Sequence, residues 1–192
     1  RANASIAAIT KFLPSYAGLG LENEVKFLSL AMVKPKKPFI FILGGAKASD
    51  KLGVIKFFRN KADAFLLGGA PANTIYFLEG MDIKKSLADR DPKDLKKLRS
   101  ISRYKNLVLP VDFIFNNSTI LDVGERTIKL FSEKINKAMM IIWSGPLGLI
   151  EKKPYDRGSL AVARAVAKNR RAFSLAGGGE TVMLLKKHGL DK

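Results

Sequence analysis

No cysteine occurs among the 192 residues, which excludes disulfides and thiolate metal sites and is compatible with a reducing compartment. There is a single histidine, His188. Its place in the last turn of a predicted helix suits a donor or cation at the helix C-terminus rather than a general base. Acidic residues are scarce, 17 against 34 Lys and Arg, for a formal charge of +17. Such a field draws anions, nucleotides and acidic metabolites included. The basic residues are spread along the whole chain, from Lys34, Lys36 and Lys37 to Lys186 and Lys187, and no aromatic-interleaved basic motif is present. That pattern reads as a solvated basic surface, with no nucleic acid partner expected. The apolar runs are too short to span a bilayer, and Arg1-Ala2-Asn3-Ala4-Ser5 has no signal-peptide pattern, so a cytoplasmic protein without a membrane partner is expected. Both common nucleotide fingerprints are missing: no glycine is followed by lysine, and no G-x-G-x-x-G occurs.

What remains is a regular alternation. Apolar runs at Phe39–Leu43, Ala64–Leu67, Leu107–Leu109, Met139–Trp143 and Ala172–Ala176 read as strands bounded by Gly, Pro or charge. Helical spacing covers Glu22–Met32, Ser49–Asn60, Ala72–Glu79, Pro92–Arg103, Glu125–Lys137, Leu160–Lys168 and Glu180–His188. The alternation predicts an α/β fold, a three-layer Rossmann-like parallel sheet with helices on both faces, as one domain over residues 1–192. The strands are continuously apolar, as in a sheet buried on both sides. Trp143, Met139, Met140 and Met183 are expected in the core, and Asp82, Asp89, Asp91 and Asp94 as helix caps or solvated loop charges.

The stretch Gly44-Gly45-Ala46-Lys47-Ala48-Ser49-Asp50-Lys51 follows the first strand. Two glycines permit a sharp turn and close approach to a ligand, and two lysines four residues apart set positive charge where a helix begins. That combination suits an oligophosphate. Glycine turns at Gly68-Gly69, Gly145-Pro146 and Gly177-Gly178-Gly179 follow other strands, so one rim of the sheet is expected to form a ligand cleft.

Several blocks, in order and spacing, resemble phosphoglycerate kinase. Arg1–Ser5 with Leu13-Pro14-Ser15-Tyr16-Ala17-Gly18 is similar to the entry into that family's C-terminal domain, and Gly44–Lys51 to its lysine loop. Leu109-Pro110-Val111-Asp112 and Leu121-Asp122-Val123-Gly124 resemble the strand ends beside its adenine pocket. Trp143–Glu151 and Gly177–Thr181 resemble its last two signatures. The resemblance covers essentially the whole chain. It implies the nucleotide-binding lobe of a two-lobed, monomeric glycolytic enzyme. That enzyme moves a phosphoryl group reversibly between 1,3-bisphosphoglycerate and ADP with Mg²⁺.

Carried over residue by residue, it implies that Lys47 neutralises the migrating phosphoryl group and Lys51 holds the nucleotide phosphates. Gly179 joins them as catalytic. Glu151 would accept from the ribose hydroxyls, and Gly68, Gly69, Leu121 and Leu149 would form the adenine slot. Gly44, Gly45, Ala46, Ser144, Pro146, Gly178, Glu180 and Thr181 complete the nucleotide contacts. Glu180 would bind Mg²⁺, and Arg1 the triose phosphate. The chain departs from the family's usual pattern in having Glu180 for aspartate, Ser144 for asparagine and a shorter connection from Asp112 to Leu121. No counterpart of the N-terminal lobe or of the final glycine-rich segment occurs in these residues. Binding of 3-phosphoglycerate or 1,3-bisphosphoglycerate is therefore expected only with that lobe, and the chain alone is expected to be inactive. The alternative is a nucleotide-binding module that does not catalyse.

Overall fold

The computed structural model describes residues 3–191. The chain divides into two units, Arg1–Pro35 and Lys36–Lys192. The first holds short turns at Ala4–Ala8 and Ile9–Lys11 and helix α1, Leu19–Val33, slightly longer than its sequence pattern.

The second unit is built on a five-stranded sheet: β1 (Phe39–Leu43), β2 (Ala64–Leu67), β3 (Leu107–Val108), β6 (Met140–Ser144) and β7 (Phe173–Gly177). The order is β3-β2-β1-β6-β7 and every pairing is parallel. Parallel neighbours need crossovers, and these carry α2 (Leu52–Phe58), α3 (Gly69–Leu78), α4 (Pro92–Ile101), α5 (Glu125–Lys137) and α6 (Arg157–Lys168), while α7 (Gly179–Lys187) follows the last strand. The three-layer α/β expectation holds.

Strand β1 explains why both faces are covered. Its side chains alternate in direction, and all five are buried. Ile40 and Ile42 pack in a cluster with Phe131 and Ile135 of α5 and Val162 of α6. Phe39 meets Phe58 at the end of α2 edge-on and Phe41 meets it tilted, while Phe41 stacks on Phe65 of β2 with ring centroids 5.3 Å apart. Trp143 is 1% exposed, a core residue as expected.

The sequence pattern did not reveal an antiparallel hairpin, β4 (Phe113–Asn116) and β5 (Thr119–Val123). It occupies the connection from Asp112 to Leu121. Asn117 and Ser118 turn the chain at φ 44° and 64°, the left-handed pair that a two-residue hairpin loop requires. An apolar run on each side of Asn-Ser is the signal that could have found it.

Helix ends also differ. The predicted helix from Ser49 opens as a 3-10 turn, Ser49–Lys51, before α2, and α3 starts at Gly69 rather than Ala72. Asp91 caps α4 by accepting from the Lys93 amide at 2.7 Å, with Pro92 behind it.

Candidate functional site

The chain leaves β1 towards β2 on one side of the sheet and returns at β6 on the other. The connections therefore diverge beyond the carboxyl ends of β1 and β6, and a crevice opens at this switch point. The Gly44-Gly45 and Gly145-Pro146 turns stand there.

Part of that glycine content serves packing. The Gly44 amide donates to the Ser144 carbonyl at 3.0 Å, Gly45 to Pro146 at 2.8 Å and Gly69 to Leu147 at 3.1 Å. A Cβ on Gly44 would sit 2.0 Å from the Pro146 carbonyl oxygen, and one on Gly145 would sit 2.3 Å from that of Gly44. The space beside Gly68 is filled by Leu147, whose Cδ2 would lie 2.6 Å from a Cβ there, while Gly69 lines the crevice. At the end of β7, by contrast, Gly177, Gly178 and Gly179 face open space. Gly178, at φ 94°, stands at the N-cap position of α7 and leaves the first-turn amides without a side-chain cap.

The crevice has a volume of about 330 Å³. It is lined by Gly45, Ala46, Gly69, Leu121, Pro146, Leu149, Glu151 and Glu180 among the expected residues. Ala70, Asn73, Leu87, Thr119, Ile120, Leu147 and Gly148 join them without having been singled out in the sequence. Leu87 comes from the loop after α3, and Thr119 and Ile120 from the hairpin. Leu121, Leu147 and Leu149 give an apolar slot, with the exposed carboxylates of Glu151 and Glu180 also on the lining.

Lys47 is exposed, and Lys51 donates to the Ser144 hydroxyl at 2.9 Å. Both lie on the loop leaving β1, outside the crevice lining. Thr181 is buried, and its hydroxyl accepts from the Gly145 amide at 2.9 Å. The Gly145 carbonyl accepts from the Trp143 indole at 2.8 Å, so both backbone polar groups of Gly145 are held and Thr181 fastens α7 to the β6 turn. Arg1 lies outside the described residues.

Two aspartates near the strand ends are structural. Asp112 accepts from the Arg126 and Thr127 amides and the Thr127 hydroxyl, capping α5 across the loop. Burial pushes its carboxyl up, but those hydrogen bonds outweigh burial and hold it below the usual range. Asp122 is 1% exposed and accepts from Gly158 at 2.7 Å and Val123 at 2.8 Å. Burial pushes its carboxyl up to about 6, opposed by those amides and assisted by Asp156. Among the described residues no cluster of three or more His, Asp or Glu could hold a metal. A lone carboxylate such as Glu180 still suits Mg²⁺, which usually completes its shell with phosphate oxygens and water.

A family model for phosphoglycerate kinase matches residues 1–192. The phosphoglycerate kinase of Dictyoglomus turgidum is 36% identical over all of this chain and 54% of its own length. That of Acidobacterium capsulatum is 38% identical over 99% of this chain and 53% of its own. Among solved structures, phosphoglycerate kinase from Coxiella burnetii superposes with a TM-score of 0.81 at 32% identity, over 91% of this chain and 50% of that one. The chain thus spans about half the length of the relatives it matches. With its parallel sheet, glycine-laced switch point and lysine loop, the chain belongs to the phosphoglycerate kinase family.

Proposed function

We propose that this chain is the nucleotide-binding half of a cytoplasmic, monomeric phosphoglycerate kinase that transfers a phosphoryl group between 1,3-bisphosphoglycerate and Mg·ADP. The observation that carries the reading is the crevice at the switch point. An apolar slot, two carboxylates and uncapped helix amides line or border one opening. Those are the parts a nucleoside diphosphate requires: a flat apolar surface for the base, acceptors for the ribose, and amides with ammonium groups for the phosphates.

In this reading adenine lies against Leu121, Leu147 and Leu149, and Glu151 accepts from the ribose hydroxyls. The amides of Gly178 and Gly179 meet the phosphates at the positive end of α7. Lys51, one of whose protons is used on Ser144, has two left for phosphate oxygens. Lys47, exposed on the same loop, meets charge that develops on the transferred group. Phosphoryl transfer depends on such positioning and neutralisation more than on covalent chemistry. Glu180 would hold Mg²⁺, whose contribution when bound is to neutralise the oligophosphate. The triose phosphate requires the lobe that the relatives' greater length provides.

A titration of Mg·ADP into the chain, paired with a coupled assay on 3-phosphoglycerate, tests the reading. Nucleotide binding without turnover is expected, because both reactants must be aligned and water excluded by lobe closure. Absence of nucleotide binding would defeat it.

A further inference from the structure

The loop between α3 and α4 links the hairpin side of the crevice to the lysine loop. The Lys85 amide donates to the Ser118 carbonyl at 3.0 Å, and the Ile120 amide to the Ser86 hydroxyl at 2.8 Å. These bonds fasten the loop to the hairpin that carries Ile120 and Leu121. Asn73 of α3 donates its carboxamide to the Leu87 carbonyl at 3.0 Å, and the Asp89 amide donates to the Thr74 hydroxyl at 2.9 Å. Leu87, held this way, lines the apolar slot. The last bond reaches the lysine loop: the Ser49 amide donates to the Asp89 carboxylate at 2.7 Å, across 40 positions of sequence.

Ser49 opens the 3-10 turn Ser49–Lys51, and the residue before it, Ala48, has no side chain able to cap that turn. A short 3-10 turn has poorer hydrogen bonding than an α-helix and needs outside support. Asp89 supplies it with a charge-assisted bond, the stronger class of hydrogen bond. The turn carries Lys51, whose ammonium spans to Ser144, and begins two residues after Lys47.

We propose that Asp89 is a positioning residue for the lysine loop, its carboxylate holding the Ser49 amide so that Lys47 and Lys51 face the nucleotide phosphates. The proposal rests on the nucleotide reading above. It concerns phosphates and not the base, because the Asp89 side chain bonds the lysine loop while the slot is held by Ser86 and Asn73. A carboxylate near a phosphate site opposes the ligand by its charge. A variant that keeps an acceptor oxygen but loses the charge therefore separates aim from electrostatics.

The test compares ADP with adenosine by calorimetric titration of the full chain and its Asp89→Ala and Asp89→Asn variants, alongside amide hydrogen exchange. Asp89→Ala is expected to weaken ADP about tenfold, leave adenosine within about twofold, and speed exchange of the Ser49 amide about tenfold. Asp89→Asn is expected to keep ADP within about threefold of the parent, since its carbonyl oxygen still accepts. Equal losses of ADP and adenosine in Asp89→Ala would overturn the proposal, as would unchanged ADP affinity. Unchanged exchange at Ser49 would overturn it whether or not nucleotide binds. A parent chain that binds neither ligand would instead defeat the nucleotide reading, with exchange at Ser49 still deciding whether Asp89 holds the turn.

Discussion

The Lys51 ammonium donates to the Ser144 hydroxyl at 2.9 Å, joining residues 93 positions apart. Leu43, at the end of β1, pairs in register with Ser144 at the end of β6. The sheet therefore brings the lysine loop and this hydroxyl to the same rim. The bond gives a long flexible side chain a preferred direction, which lowers the entropy lost when a phosphate arrives.

Removing that hydroxyl should loosen Lys51 without removing its charge. Ser144→Ala is expected to weaken ADP about threefold, and Lys51→Ala about tenfold or more, in calorimetric titration. Equal effects would mean that Lys51 has no use without its partner.

Glu180 borders the crevice in the first turn of α7, exposed and near the open glycine turn. Glu180→Gln should weaken Mg·ADP about tenfold while leaving metal-free ADP nearly unchanged, since the lost charge matters chiefly to the cation. Titrations with and without Mg²⁺ check this, and equal losses would leave Glu180 as a helix-terminus charge only.

Asp122 gives stability an acid-side slope. Its carboxyl titrates at about 6 in the folded chain against an ordinary 3.8, so the folded state binds more protons between those values. Stability should therefore fall as pH rises through that window, by about 3 kcal/mol from this residue, and be level above it. Urea unfolding between pH 4 and 8 should show Asp122→Asn with a flatter profile than the parent.

Asp112 has the opposite sign. Hydrogen bonds hold its folded carboxyl below 3.8, so its contribution is present above that value and is lost as pH falls through the folded one. Asp112→Ala should cost about 1 kcal/mol at pH 7, as for loss of a helix cap, and less at pH 2. Urea midpoints at both pH values check it.

The two kinds of glycine should respond differently. Gly44→Ala forces a methyl to 2.0 Å from the Pro146 oxygen and should cost more than about 3 kcal/mol, or prevent folding. Gly179→Ala meets open space and should cost less than about 1 kcal/mol. Thermal unfolding of both variants makes the comparison.

Phe39–Leu43 and Ala64–Leu67 announce their strands in sequence because burial on both faces demands unbroken apolar residues, and Glu125–Lys137 announces its helix by spacing. The lysine loop and the glycine turns are likewise local, so their place at the strand ends was legible in the residues alone. The hairpin at Phe113–Val123 was hidden, since its short strands and Asn-Ser turn lack the glycine that marks such turns most strongly. Only the tertiary structure decided which glycines pack and which open. A Cβ at Gly44 meets backbone from residues about a hundred positions away, while one at Gly179 meets nothing. It also decided that Asp89, to the sequence one acidic residue in a charged loop, reaches Ser49, and that the Thr181 hydroxyl is spent on Gly145. Such partners are set by how crossovers return strands to the sheet, and local sequence carries no record of which distant amide a side chain will meet.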